Sequence, residues 1–238
     1  MKRVLYTAFL GFATLYMPVS PAIAEAPALT VTVEGIGPGG YIEPTYAFCV
    51  PAAGSLHVKD GPDKSVGIAW SKGPEGTKSY AIVMVDTDVP TNFEDAGREG
   101  KTIAATMPRK NFYHWILFDI PATKTMIPAY TDSDALVKNG KSVIDTSYGT
   151  RGVNDYAPYF ATDPERKGVY AGYDGPCPPW NDTLVHHYHF KVFALDVATL
   201  GIPGLKATGP AVIQAIKKHT LAEGEVVGKY TLNPSLKP

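Results

Sequence analysis

Three stretches of the chain carry side chains with chemistry to offer. Asp86 and Asp88 stand two residues apart at the end of an apolar run, in the string MVDTDVP. His114 lies within a second apolar run, FYHWILFDIP. The third stretch, residues 173–196 (YDGPCPPWNDTLVHHYHFKVFALD), joins a stiff Gly175-Pro176-Cys177-Pro178-Pro179 turn to His186, His187, Tyr188 and His189, and then to an apolar run long enough to cross a sheet. In a regular strand from His186 onward, His186, Tyr188, Phe190, Val192 and Ala194 share one face, while His187, His189 and Lys191 share the other. His186 and Tyr188 are then expected at the mouth of a pocket, with His114 and the turn as its other walls. Two imidazoles and a phenol suit a small oxyanion such as a phosphate group. A carboxylate at Asp86 or Asp88 would either orient a histidine or meet a cationic group on the same ligand, so a zwitterionic head group satisfies both signs. The plainer alternative is a pair of core histidines and a tyrosine that satisfy one another.

The elements that must position these residues read as strands. Residues 29–34 alternate apolar and polar, 66–70 form a short run, and 80–85 (YAIVMV) and 112–120 are apolar on both faces, as in strands covered on both sides. His114 shares parity with Ile116 and Phe118 and is expected to point with them. Residues 209–219 carry Val212, Ile213 and Ile216 at helical spacing, and residues 225–232 read as a closing strand. A helical turn is expected over 131–139, a lid or an excursion over a sheet edge at 91–110, and surface covering over 148–173. With 23 Gly and 21 Pro dispersed among short apolar runs, 45% hydrophobic residues and 238 residues in all, the chain suits one mainly β domain. The GIGPGG string at 35–40 formally matches a dinucleotide fingerprint, but Tyr41-Ile42-Glu43-Pro44 follows where a helix would have to open, so it reads as a turn.

The first residues combine Lys2 and Arg3, an apolar stretch over 4–17 and Ala22-Ile23-Ala24, the pattern of a cleaved signal peptide over residues 1–24, with one domain over 25–238. No later stretch reaches the roughly 20 apolar residues of a membrane span, so a periplasmic or secreted product without stable membrane insertion is expected. Removing Lys2 and Arg3 takes the 22 basic side chains to 20, against 23 acidic, a net charge of −3 that offers no basic face for nucleic acid. Cys49 and Cys177 are the only cysteines; whether they pair is open at this point.

The strings MVDTDVP, YHWILFDIP and GPCPP followed by HHY and FALD, in that order and separation, resemble the phosphatidylethanolamine-binding protein family, and specifically its exported bacterial, Raf kinase inhibitor-like branch. The C-terminal AIKKHTLAEGEVVGKY resembles that branch too. The resemblance implies a two-sheet antiparallel β-sandwich with a few peripheral helices, no cofactor, and a small anion pocket for phosphate-bearing ligands or phospholipid head groups. Carried over by position, that pocket uses Asp86, Asp88, His114, Gly175, Pro176, Cys177, His186 and Tyr188. It implies a binding protein rather than an enzyme, with a protein kinase or a protease among conceivable partners, and leaves a homodimer open. Two departures stand out: Thr87 where the family usually has Pro, and His187 where it usually has Arg. The segments 91–110 and 157–170 also exceed the shortest bacterial members.

Rival chemistries are a metal-dependent hydrolase using His186, His187 and His189, and a covalent hydrolase with Cys177 as nucleophile beside His186. The Asn181-Asp182-Thr183 triplet fits a glycosylation acceptor but reads as a polar turn.

Overall fold

In the computed structural model the described residues are Met1 and residues 28–236, so the signal peptide expected over 1–24 lies, Met1 apart, outside them. The strands among them are β1 (Val31–Val33), β2 (Cys49–Pro51), β3 (Val58–Asp60), β4 (Ile68–Trp70), β5 (Ser79–Pro90), β6 (Arg109–Pro121), β7 (Met126–Ile127), β8 (Asp145–Thr146), β9 (Gly149–Arg151), β10 (His186–Leu195) and β11 (Thr220–Tyr230). Two α-helices join them, α1 (Tyr156–Tyr159) and α2 (Gly209–Ile216). A six-stranded sheet has the order β11-β10-β5-β6-β9-β8, a three-stranded sheet the order β1-β4-β7, and β2 pairs with β3. All ladders between these strands are antiparallel. The two-sheet antiparallel sandwich implied by the resemblance is the fold the chain adopts.

The long strands are apolar on both faces because the large sheet is covered on both. Tyr80, Ile82 and Met84 of β5 pack with Ile68 and Trp70 of β4, in the core between the sheets. Ala81, Val83 and Val85 point the other way, against Val212 and Ile216 of α2. Pro210 stands in the first turn of α2, where its missing N–H costs nothing.

β6 departs from simple alternation at His114. Its register against β5 passes from Met84 opposite Trp115 to Val85 opposite Tyr113, so His114 is an extra residue in the ladder. An extra residue exchanges the faces of everything beyond it. Ile116 and Phe118 accordingly face α2, whereas His114 opens into a cavity on the opposite side. The expected shared parity of His114 with Ile116 and Phe118 is thereby corrected.

Two other expectations are also corrected. Residues 131–139 form turns rather than a helical turn, because the N–H groups of Asp132 and Ser133 donate to the Ser65 hydroxyl instead of to a helical ladder. Residues 148–173 are more than surface covering: Tyr156, Tyr170 and Tyr173 are buried. Tyr156 and Tyr170 join Phe48 and Phe160 in an aromatic cluster. The 35–40 string is a turn, with a single 3-10 turn at Pro38–Gly40.

Candidate functional site

β5, β6 and β10 end beside one another, and their ends form the floor of a cavity of about 320 Å³. Asp86 comes from β5, His114 from the bulge in β6, and His186 and Tyr188 from β10, all four nearly inaccessible to solvent. The walls are mostly apolar: Phe48, Phe112, Tyr156, Phe160 and Trp180, with the turn supplying Cys177, Pro178 and Pro179. Lys59, Asp60 and Arg166 stand among the lining groups as its charged members apart from the floor, and Arg166 pairs with Asp60 at 2.5 Å.

His186 has both ring nitrogens committed. Nδ1 lies 2.7 Å from Asp86 Oδ2 and Nε2 lies 3.1 Å from Asp182 Oδ2. Burial alone would lower its pKa, but the hydrogen bonds to Asp182 and Asp86 prevail and hold it up at about 9, so it is an imidazolium at neutral pH. Arg109 continues the chain, donating to both Asp182 oxygens at 2.5 and 3.0 Å. The carboxyl of Asp182 is held below its ordinary range: burial opposes this, and the bonds from His186 and Arg109 overcome it.

His114 is the opposite case. Its Nδ1 lies 3.0 Å from the Asp174 carbonyl and 3.1 Å from the Gly175 carbonyl, and a carbonyl only accepts, so Nδ1 carries the hydrogen. Burial pushes its pKa down to about 4, more strongly than Asp86 and the two carbonyls can raise it. The imidazole is therefore neutral, with an Nε2 lone pair. Tyr188, fully buried, has a hydroxyl without a hydrogen-bond partner among the described residues. Burial first, and then the nearby Asp86 carboxylate, raise the pKa of this phenol well above its ordinary value and keep it protonated.

Of the remaining predicted site residues, Cys177 faces the cavity, whereas Gly175 and Pro176 hold its wall in place. Gly175 accepts from Tyr156 Oη at 2.8 Å and donates its N–H to Asp63 at 2.7 Å. A Cβ on Gly175 would stand 2.0 Å from the Tyr46 carbonyl oxygen, so only glycine lets the turn lie this close. The Pro176 carbonyl accepts from Cys49 N–H at 3.1 Å. Cys177 lines the cavity and is bonded to Cys49, with Cα atoms 4.8 Å apart. A disulfide sulfur is not a thiol nucleophile, which removes the premise of a covalent hydrolase at Cys177.

Asp88 does not line the cavity. The β5–β6 register breaks between Asp86 and Val89, and Asp88 N–H donates back to Asp86 Oδ1 at 2.8 Å. The two carboxylates therefore diverge: Asp88 Oδ2 accepts from His187 N–H and lies 2.8 Å from His187 Nδ1. His189 pairs with Glu225 on β11. His186 thus faces inward while His187 and His189 face the other way, so the three histidines of the metal-hydrolase alternative do not converge. Among the described residues no group of three or more His, Cys, Asp and Glu side chains is placed to hold a metal ion.

Sequence reading missed Asp182 and Arg109. Asp182 sits in a loop without periodicity, and its partner lies 73 residues away, so no local signal marks the pair.

A family model for phosphatidylethanolamine-binding proteins (PEBP) matches residues 33–231 of the chain. The chain belongs to the phosphatidylethanolamine-binding protein family. Its relatives include the UPF0098 protein YbcL of Escherichia coli (strain K12), 28% identical over 232 residues, which cover 98% of this chain and 100% of the relative. A UPF0098 protein of Aquifex aeolicus is 31% identical over 175 residues, 74% of this chain and 78% of the relative. The crystal structure of E. coli YbcL, introduced as a new member of the mammalian PEBP family, matches with a TM-score of 0.60 at 28% identity, covering 86% of this chain and 99% of the other. A PEBP homologue from Chlamydia trachomatis, at 21% identity and a TM-score of 0.53, shares the fold. Of the two departures from the PEBP pattern, His187 makes the Asp88 contact just described, and Thr87 Oγ1 lies 3.4 Å from His189 Nε2. Neither residue lines the cavity.

Proposed function

We propose that this protein binds a phosphate-bearing small molecule or phospholipid head group in the cavity floored by Asp86, His114, His186 and Tyr188, and releases it unchanged. The observation that carries this reading is the convergence of Asp86, His114, His186 and Tyr188, from three strands, on the floor of one mostly apolar cavity. Apolar walls over a few convergent polar groups are the usual composition of a small-ligand site. Lys59 adds positive charge for a ligand that carries its own negative charge, Arg166 being paired with Asp60. An exported protein, periplasmic or secreted, fits the Cys49–Cys177 disulfide, since such bonds persist mainly outside the reducing cytoplasm.

Calorimetric titration with inorganic phosphate, phosphoethanolamine and phosphoserine, on the wild type and on Tyr188→Phe, tests the reading. A hydrogen bond to a charged ligand contributes about 1.5–3 kcal/mol, so the variant should bind roughly tenfold or more weakly. Absence of binding to the wild type, or equal binding to both proteins, would overturn it. Prolonged incubation with phosphoserine should release no inorganic phosphate; sustained release would make the protein an enzyme.

A further inference from the structure

Behind the turn that walls the cavity lies a second group of charged side chains, which the cavity itself does not use. Lys141 Nζ lies 2.6 Å from Asp174 Oδ1 and 3.9 Å from Asp63 Oδ2. Both carboxyl groups are fully buried, and the lysine side chain is only 10% exposed. Asn154 Nδ2 donates to the other oxygen of Asp174, Oδ2, at 2.6 Å. Asp63 Oδ1 accepts the Gly175 N–H, but its Oδ2 makes no hydrogen bond among the described residues. The nearby phenols of Tyr156 and Tyr173 do not serve it, because each gives its hydrogen to a backbone carbonyl, that of Gly175 and that of Tyr46.

Two carboxylates beside one ammonium would leave an excess negative charge in a site sheltered from water, at a heavy cost. A single carboxylic hydrogen removes that excess. Burial first, and then the neighbouring Asp174 charge, push Asp63 well above the ordinary carboxyl range, so Asp63 carries the hydrogen. The cluster is then an amine, a carboxyl group touching it, an amide N–H on the far oxygen of that carboxyl, and a carboxylic acid beside both. Those are the parts that condense an amine with an acid: nucleophile, electrophile, oxyanion donor and proton carrier.

We propose that Lys141 and Asp174 condense into an intramolecular amide, closing a covalent ring behind the turn, with Asp63 as the proton carrier. A hydrogen first passes from Lys141 Nζ to Asp174 Oδ1 along the bond between them, turning the ion pair into an amine and an acid. The Nζ lone pair then forms a C–N bond to Asp174 Cγ, while negative charge develops on Oδ2 against the Asn154 N–H. Asp63 gives its hydrogen to the Oδ1 hydroxyl and takes one from Nζ, the Cγ–Oδ1 bond breaks, and water leaves. Asp63 ends as it began, and nothing is oxidised or reduced. Holding the amine against the carboxyl makes the step intramolecular, and the exclusion of water opposes its reversal. The amide joins positions 33 residues apart and anchors the turn independently of the disulfide. No step involves a ligand in the cavity.

Mass spectrometry of the purified, folded protein is the test. After reduction of the disulfide, the wild type should weigh one water less than the sequence from its observed N-terminus requires. Trypsin should fail to cut after Lys141 and should yield a branched peptide joining residues 139–151 to residues 168–191. Lys141→Arg keeps the charge, but its guanidinium is too weak a nucleophile to condense. Asp63→Asn keeps an acceptor for the Gly175 N–H but has no acid hydrogen to pass on. Both variants should show the full mass. Full mass in the wild type would overturn the proposal. So would a deficit that persists in Lys141→Arg, because a succinimide at Asp174-Gly175 loses the same water without a cross-link. The branched peptide in Asp63→Asn would remove Asp63 as the proton carrier. The wild-type peptide map decides the cross-link by itself, whether or not a variant folds.

Discussion

His114 and His186 are two buried imidazoles in one cavity; burial prevails at His114, and the carboxylates that His186 touches overcome it there. Burial disfavours the charged form of each. His186 has two carboxylates and stays charged to about pH 9, whereas His114 has two carbonyls and stays neutral down to about 4. Both start from 6.5, so their contributions to stability have opposite signs. The raised His186 stabilises the fold fully below 6.5 and loses that contribution as pH climbs through 9. The lowered His114 favours the fold above 6.5 and loses that advantage as pH falls towards 4. Each limb is on the order of 3 kcal/mol. Urea unfolding across this range should give a stability maximum near the middle, with the alkaline limb flattened in His186→Gln and the acid limb flattened in His114→Gln. Unchanged limbs in both variants would refute the assignment. Of these residues, His186 and Tyr188 were legible from alternation alone because β10 is regular against β11 from His186 to Ala194. His114 was legible as a pocket residue, but the face it shares was not, because the bulge defeats parity. Asp182 and Arg109 were not legible, since the bond that gives them meaning joins distant parts of the chain.

At the scale of elements, the turn at 173–180 depends on what lies beneath it. Asp63 holds the Gly175 N–H, Lys141 and Asn154 hold the Asp174 carboxylate, and the disulfide fixes Cys177 to β2. Removing a native disulfide typically costs about 2–5 kcal/mol. The Cys49→Ser/Cys177→Ser double variant should lose stability in that range, seen as a lower urea midpoint, and should bind phosphate more weakly because one cavity wall is released. A variant as stable as the wild type would show that the noncovalent contacts suffice. The strands themselves were readable where both faces are apolar, in β5 and β6, and where helical spacing was clean, in α2. Residues 131–139 and 148–173 were not, because side-chain hydrogen bonds and aromatic stacking with remote segments decide their course rather than any local period.

Across the whole molecule, the cavity exists because loops from distant parts of the chain are fastened together at its mouth. The excursion at 91–108 is tied down by Asn181, whose side-chain N–H groups donate to the carbonyls of Asp95 at 2.8 Å and Lys101 at 3.1 Å, and whose oxygen accepts from Gly97 N–H at 2.9 Å. Trp180 next to it stacks on His57, which in turn meets Glu99. The Asn-Asp-Thr triplet is therefore a polar turn with a fastening role. Asn181→Ala should cost about 1–3 kcal/mol and speed amide hydrogen exchange at Gly97 and Ile103, with β5 and β6 unaffected. Unaltered exchange at Gly97 would exclude that role.

The disulfide also divides the chain in time. A ribosome releases Cys49 long before Cys177, which follows 128 residues later, and the ring closed by their union contains β3 to β9 and α1. Asp86 and His114 lie inside that ring. His186 and Tyr188 lie beyond it, on a strand that enters the sheet between β5 and β11. The cavity floor is thus the seam where a cross-linked body meets a strand made after it, and its four polar side chains come together only once that later strand has docked.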